Sequence, residues 1–344
     1  VAGFSSEAFL PRQILDRVTD VRVRDPDRVR HAAARRVRRK SLTEDGRLNL
    51  VAADHPARRV TAAAGDPLAM ADRQSFLARV ARVLVGDAAD GVMATMDVLE
   101  DLLLIADLTR EAGGPAFLDG KLLIGSFNRG GLSGTSWELD DPMTGADTEG
   151  CLDLRLDGGK MLLRIGDDDP GSLATMVACA EAISELAAAG LPSFLEPLPV
   201  KREGGALKVV KEADALTRAA CVAAGLGSTS RYTWLKLPHC PGYEKVARAT
   251  TLPILLLGGE SVGNPRPLLE QIAGGMAAGA SVRGALAGRN VLYPGDLDPL
   301  AVARAANGII HSGWSVDKAV AALDEAGGAD LDALSRWFPR RSEA

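Results

Sequence analysis

The sequence has no excess of basic charge. Its 45 acidic residues outnumber 40 basic ones, for a formal charge of −5, so bulk electrostatics offers no drive toward nucleic acid. It also has no apolar run near the roughly 20 residues needed to cross a bilayer. Cysteine is scarce. Cys151, Cys179, Cys221 and Cys240 stand far apart with no C-x-x-C pair, which argues against a disulfide or zinc framework and fits reduced thiols. No secretory leader pattern opens the chain. The expectation is a soluble cytoplasmic protein without a nucleic-acid or membrane partner.

Ten Arg or Lys residues fall between Arg17 and Lys40, interspersed with Asp20, Asp25 and Asp27 and with alanines at helical spacing. Mixed signs at that spacing read as a solvated or subunit-packing helical arm over residues 1–45, ahead of a nucleic-acid arm. From position 48 onward, eight short apolar runs alternate with alanine-rich helical stretches. The runs are 48–56, 91–97, 121–127, 160–166, 191–198, 232–238, 252–260 and 282–288. Such βα repeats within one chain predict an α/β (β/α)8 TIM barrel over 46–312. Residues 313–344 read as a helical extension held down by Trp337 and Phe338. A doubly wound nucleotide-binding sheet is the rival fold. Its G-x-G-x-x-G turn is absent after the first strand, where the chain reads HPARRV, and the late GLGSTS (225–230) lacks a P-loop lysine.

Barrel function gathers where strands end. Asp54 closes the first run, Arg164 the fourth, Glu196 the fifth and Lys236 the sixth. Alternation puts Phe194, Glu196 and Leu198 on one face, and Tyr232, Trp234 and Lys236 on another, so both ionisable groups can point inward. A paired structural ion network is one reading. Catalysis is the other: a desolvated lysine, losing its proton more readily near cationic Arg164, attacks a carbonyl and forms an iminium, with Asp54 and Glu196 as proton carriers. His55 and His239 are open between local capping and catalysis. The acids of GDDDPG (166–171) read as a polar turn rather than a metal site, so no metal and no cofactor are expected.

The seventh and eighth runs end in LLLGGES and ALAGRN, where backbone amides and a helix start suit a phosphate. Gly258, Gly259, Gly288 and Arg289 are the candidates there. The loop 127–150, with Arg129, Ser133 and Trp137, is either a substrate-covering lid or a surface or oligomer loop, and Arg129 is a further candidate substrate contact. The basic arm and terminal helix are candidate homo-oligomer surfaces.

As an ordered set, DHP, FLEPL, TWLKLP, LLLGGES and GALAGRNVLYP resemble the class I, lysine-dependent aldolases of the deoxyribose-phosphate, tagatose-bisphosphate and archaeal-type fructose-bisphosphate superfamily. The resemblance covers roughly residues 46–312. It implies Lys236 as the Schiff-base lysine, Asp54 and Glu196 as active-site acids, and a phosphate grip around Gly288 and Arg289. Arg164 is read as a departure, standing where tagatose-bisphosphate-type relatives carry a second lysine on strand four. An arginine there suits an acidic substrate. The substrate expected is therefore a phosphorylated keto sugar or keto sugar acid, such as 2-deoxy-5-keto-gluconate 6-phosphate of inositol catabolism, cleaved to dihydroxyacetone phosphate and malonic semialdehyde. The alternatives are another sugar phosphate, a metal-assisted lyase, or a non-catalytic sugar-phosphate-binding barrel.

Overall fold

The computed structural model describes residues 4–261, 263–325 and 330–338. Eight parallel strands close into a barrel: β1 (Leu48–Ala53), β2 (Gly91–Ala94), β3 (Leu122–Ser126), β4 (Gly158–Ile165), β5 (Ser193–Glu203), β7 (Thr233–Pro238), β8 (Ile254–Leu257) and β9 (Val282–Ala287). β4 pairs with β5, and β1 with β9, so the ring has no edge. The expected (β/α)8 barrel is the observed fold. One element was not anticipated: β5 runs past the barrel rim and turns back as an antiparallel hairpin with β6 (Ala206–Val209), paired from Val200↔Val209 to Glu203↔Ala206.

Alternation along each strand sorts side chains into a barrel interior and an outer layer. Leu48, Leu50, Met93, Leu122, Ile124, Phe194, Leu255 and Leu286 form the interior cluster. The helices pack outside, on a separate and larger apolar cluster. Continuing the inward series by twos, β1 leads from Leu48, Leu50 and Ala52 to Asp54, and β5 from Phe194 to Glu196. The lower interior is therefore apolar, and the first polar side chains appear at the C-terminal rim. Gly284 has φ +130°, and a Cβ there would lie 1.9 Å from Leu48 O, so β1 and β9 approach through a glycine.

The N-terminal arm is folded onto its own barrel. Helices Arg12–Arg24 and Arg28–Arg35 bury Ile14, Val18, Ala32 and Ala33 in the outer core. Their arginines pair with carboxylates of the same chain: Arg22 with Asp101 at 2.8 Å, Arg28 with Asp107 at 2.9 Å, Arg30 with Asp153 at 2.6 Å. The basic run is thus matched internally, which corrects the view of it as a solvated appendage. Beyond it the chain passes beneath the barrel, where Arg36 and Arg38 both bind Asp157 and Leu42 packs on the interior cluster. In the C-terminal extension Phe338 is buried with Arg17 over its ring, while Trp337 lies on Gly114 and is partly exposed. Residues 326–329 and 339–344 of that expected segment lie outside the described residues.

The 19-residue helix Pro170–Ala188 has the length and mean hydropathy of a membrane span, so the expectation that no such segment exists is corrected. Its Cys179, Ala182, Ile183 and Leu186 belong to the barrel's outer core, and Glu181 and Glu185 interrupt it.

At the barrel floor, His311 Nε2 lies 3.1 Å from Asp90 and Nδ1 2.9 Å from Asp45. The hydrogen bond to Asp90, partly opposed by burial, raises the imidazole's pKa. A raised folded pKa gives stability that is complete below the unfolded value of about 6.5 and fades as pH climbs through the folded one. Wild type should melt above His311→Gln at about pH 6, with the gap closing toward alkaline pH. A gap in melting temperature that does not narrow would overturn this role.

Candidate active site

Five charged side chains meet under the barrel mouth. Asp54 follows β1, Lys160 is on β4, Glu196 on β5, Lys236 on β7, and Arg129 in the loop after β3; all are buried. Glu196 Oε2 accepts from both lysines, with Lys160 Nζ at 2.6 Å and Lys236 Nζ at 3.1 Å. Lys160 Nζ also lies 3.5 Å from Asp54 Oδ2. Asp54 in turn holds Arg129 Nη2 at 2.9 Å and accepts from Ser126 Oγ at 3.1 Å. The Arg129 contact is an ion pair without hydrogen-bond alignment, since its Nε and Nη2 are buried without a hydrogen-bond partner.

Register fixes the depths. Leu162 pairs with Glu196 and Lys160 with Phe194. Leu195 pairs with Leu235, so Glu196 and Lys236 stand side by side. Lys160 therefore rises from one inward layer below, while Lys236 is level with the carboxylate both share. Burial alone would raise the Glu196 pKa, but Lys160 and Lys236 outweigh it and bring it down to about 2. Burial likewise opposes ionisation of Asp54, yet Arg129 and Lys160 hold its carboxyl well below the usual range. Lys160 is pushed down to about 8 by burial, against the pull of Glu196 and Asp54.

Lys160 is the residue that sequence reasoning missed. The same alternation that singled out Lys236 marks it, because Lys160, Leu162 and Arg164 share one face of β4. The reading of Arg164 as a substitute for the strand-four lysine is corrected accordingly: β4 carries a lysine in contact with both carboxylates, and Arg164 lies farther along. Arg164 Nη1 donates to Glu138 Oε1 at 2.6 Å, Nη2 bonds Glu138 O and Gly131 O, and Asp141 Oδ2 is 3.4 Å away. Its partners are thus in the loop 127–150, which it ties to the barrel wall. That loop is further pinned by Asp141, which accepts from Gly131 N at 2.8 Å and donates its own N–H to Thr175. Trp137 is exposed.

Arg58 adds a second unanticipated cation beside Arg164 and Arg129. Burial and those two like charges push it down to about 10. His55 Nδ1 lies 3.8 Å from Asp54 Oδ1 but is buried without a hydrogen bond. Burial, with Arg289 and Lys236 nearby, pushes His55 down to about 3, so its ring is neutral. His239 stacks on Tyr243 with centroids 5.2 Å apart. Among the described residues, no three His, Cys, Asp or Glu side chains converge as metal ligands. In the GDDDPG run, Asp169 caps the helix Pro170–Ala188 by accepting from Gly171 N.

The strand-end glycines lie on the other arc. Gly259 has φ +71°, and a Cβ on Gly258 would press on Ala287. A Cβ on Gly288 would meet His55 at 2.5 Å and Ala52 O at 2.6 Å. The Asn290 side chain donates to Gly258 O and fixes the turn. Gly258, Gly259, Gly288 and Arg289 share one cavity of about 750 Å³ with Asp54, Arg129, Arg164, Glu196, Lys160 and Lys236. Its walls bear eight lysines and arginines against four carboxylates.

Comparison with curated proteins finds no match. Among solved structures, Cgl0159 from Corynebacterium glutamicum is 37% identical with a TM-score of 0.81, over 88% of this chain and 98% of that one. A Schiff-base-forming fructose-1,6-bisphosphate aldolase is 21% identical, with a TM-score of 0.56 over 82% of this chain and all of that one. The fructose-bisphosphate aldolase of Slackia heliotrinireducens is 15% identical, with a TM-score of 0.60 over 88% of this chain and 92% of that one. The two aldolases share the barrel fold. The family model that matches covers residues 46–307, and with the 37% identity to the Corynebacterium protein it shows that the chain belongs to the Cgl0159-like family.

Proposed function

We propose that this protein is a class I aldolase, a carbon–carbon lyase that cleaves a phosphorylated keto sugar or keto sugar acid through a Schiff base on Lys236. The observation that carries the proposal is one buried carboxylate oxygen shared by two lysine amines. The contact cluster holds three cations, Arg129, Lys160 and Lys236, against Asp54 and Glu196. One proton is therefore surplus to charge balance in a site where net charge is costly. Lys160, down at about 8, is a group that gives it up near neutral pH.

In this reading Lys236 is the nucleophile. It stands level with Glu196, one layer nearer the mouth than Lys160, and β7 pairs directly with β8, which leads to the glycine turn. A phosphate at that turn would place a substrate carbonyl near Lys236. Neutral Lys160 takes a proton from the Lys236 ammonium by way of Glu196, leaving an amine that adds to the carbonyl. Water leaves the carbinolamine with protons passed by Glu196 and Lys160. The iminium then accepts the electron pair of the breaking carbon–carbon bond, while a base on the far wall removes the hydroxyl proton of the departing aldehyde. Asp54, ionised and three strands from Lys236 around the ring, is the candidate for that step.

Eight cations against four carboxylates in the walls favour an anionic substrate. The Schiff-base chemistry named for the 21%-identical aldolase agrees with this assignment. The narrower choice of 2-deoxy-5-keto-gluconate 6-phosphate rested on Arg164 in place of a lysine, and Lys160 removes that support. Arg58 and Arg129 carry the case for a second anionic group on the substrate.

Borohydride reduction in the presence of dihydroxyacetone phosphate should add the mass of the reduced adduct at Lys236. EDTA should leave that adduct unchanged, and Lys236→Ala should abolish it together with turnover. Absence of an adduct on either lysine would end the Schiff-base reading, and an adduct on Lys160 would exchange the two roles.

Lys160→Met removes the partner that Glu196 holds at 2.6 Å. It should lower kcat by about 100-fold while the Lys236 adduct still forms. Because the neutral amine is the working form, wild-type activity should rise with pH through about 8, and the variant should lack that rising limb. Wild-type kcat retained with an unchanged pH profile would make Lys160 structural only.

A further inference from the structure

The hairpin β5–β6 has no counterpart among the sequence features assigned to the site, yet it reaches over the mouth. Its inner face, Leu207 and Val209, packs with Leu139, Leu162, Leu198, Val200 and Leu257 in a small apolar cluster of its own. Those residues come from the loop after β3, from β4, from β5 and from the end of β8. The hairpin is therefore clamped across the rim rather than standing free in solvent. Glu203 at its tip is neutralised by Lys201 at 2.8 Å and Lys208 at 3.3 Å. Lys211, just past β6, has no hydrogen bond or ion pair among the described residues.

The Lys211 ammonium lies beside the glycine turn. Its Nζ is 3.9 Å from where a Cβ on Gly259 would stand, and nothing else comes within 4 Å of that point. Across the turn, Arg289 faces the same cavity with its Nε buried and unpartnered. A left-handed glycine and the Lys211 side chain flank one position, and a guanidinium with a spare Nε donor lines the same cavity. Each is suited to an oxyanion.

We propose that the hairpin is a wall of the anion site, and that Lys211 binds the phosphoryl oxygens of a phosphate monoester held against the Gly258–Gly259 turn, opposite Arg289. This deepens the aldolase reading, since it names how the phosphate end of the substrate is gripped. The grip itself stands on the anion geometry and needs no turnover. Gly259 is suited to the turn because a side chain there would fill the space between the ammonium and the backbone amides, besides straining a backbone at φ +71°.

The test is a titration with inorganic phosphate followed by 31P line broadening, on wild type, Lys211→Ala, Lys211→Arg and Lys201→Ala. Loss of one charge-assisted contact should weaken phosphate binding about tenfold in Lys211→Ala. Lys211→Arg should recover most of the affinity, and Lys201→Ala, which lies outside the cavity and whose charge is already engaged by Glu203, should change it less than twofold. In turnover, Lys211→Ala should raise KM for the phosphorylated substrate and leave kcat near wild type. Unchanged phosphate affinity in Lys211→Ala, or an equal loss in Lys201→Ala, would overturn the proposal even if borohydride traps Lys236. Weakened binding without any trapped adduct would support the anion site while the aldolase reading failed.

Discussion

One carboxylate oxygen governs the interior of this barrel. Glu196 Oε2 is the common acceptor of Lys160 and Lys236, and neither lysine has another carboxylate nearer. Remove it, and two amines would remain in an apolar interior with only Asp54, at 3.5 Å from one of them, to offset their charge. Burying two ions is unfavourable unless geometry and partners compensate. The fold meets that demand through register: adjacent strands present Glu196 and Lys236 at one level, and β4 sends Lys160 up from the layer beneath. The apolar layer below, against which Trp234 packs beside Phe194 with ring centroids 6.1 Å apart, closes the site from underneath.

Around that pair the remaining charges form a chain rather than a set of isolated bridges. Glu196 leads through Lys160 to Asp54, and Asp54 to Arg129. The chain crosses the barrel from β5 to β1, so a proton taken up on one side has charged partners on the other. Arg164 belongs to a different system. By holding Glu138 and Asp141 it fixes the loop that carries Arg129, and it shapes the site through that loop.

Most of the barrel was legible because its signals are local. Eight apolar runs with helical intervals specify strand count and order, and the strand ends follow by position. Asp54, Glu196 and Lys236 could be found the same way, as charges at the ends of apolar strands. Lys160 was missed because it opens its run instead of closing it, so a search confined to strand ends passed over it. Its depth depends on β4 beginning at Gly158 and on pairing with Phe194, which is information held jointly by two strands. The arm was misread for a related reason. Its arginines look unbalanced in sequence, while their partners Asp101, Asp107, Asp153 and Asp157 lie 79 to 123 residues away. The hairpin went unseen because KREGGALKVV (201–210) carries too few apolar residues to stand out.

The distribution of charge follows from the same architecture. The chain as a whole is acidic, at −5, and most of its basic arm is paired with carboxylates of the same chain on the outside and underside of the barrel. The mouth is the exception, with twice as many cations as carboxylates in its walls. A positive cleft in a negative protein concentrates small anions there while the surrounding surface repels polyanions. Because low-dielectric walls confine that field, its strength depends on keeping water out, and the loop held by Arg164 and the clamped hairpin meet in one apolar cluster at the rim of the opening. The parts of the sequence that look least like a barrel are therefore the parts that make its buried charges effective.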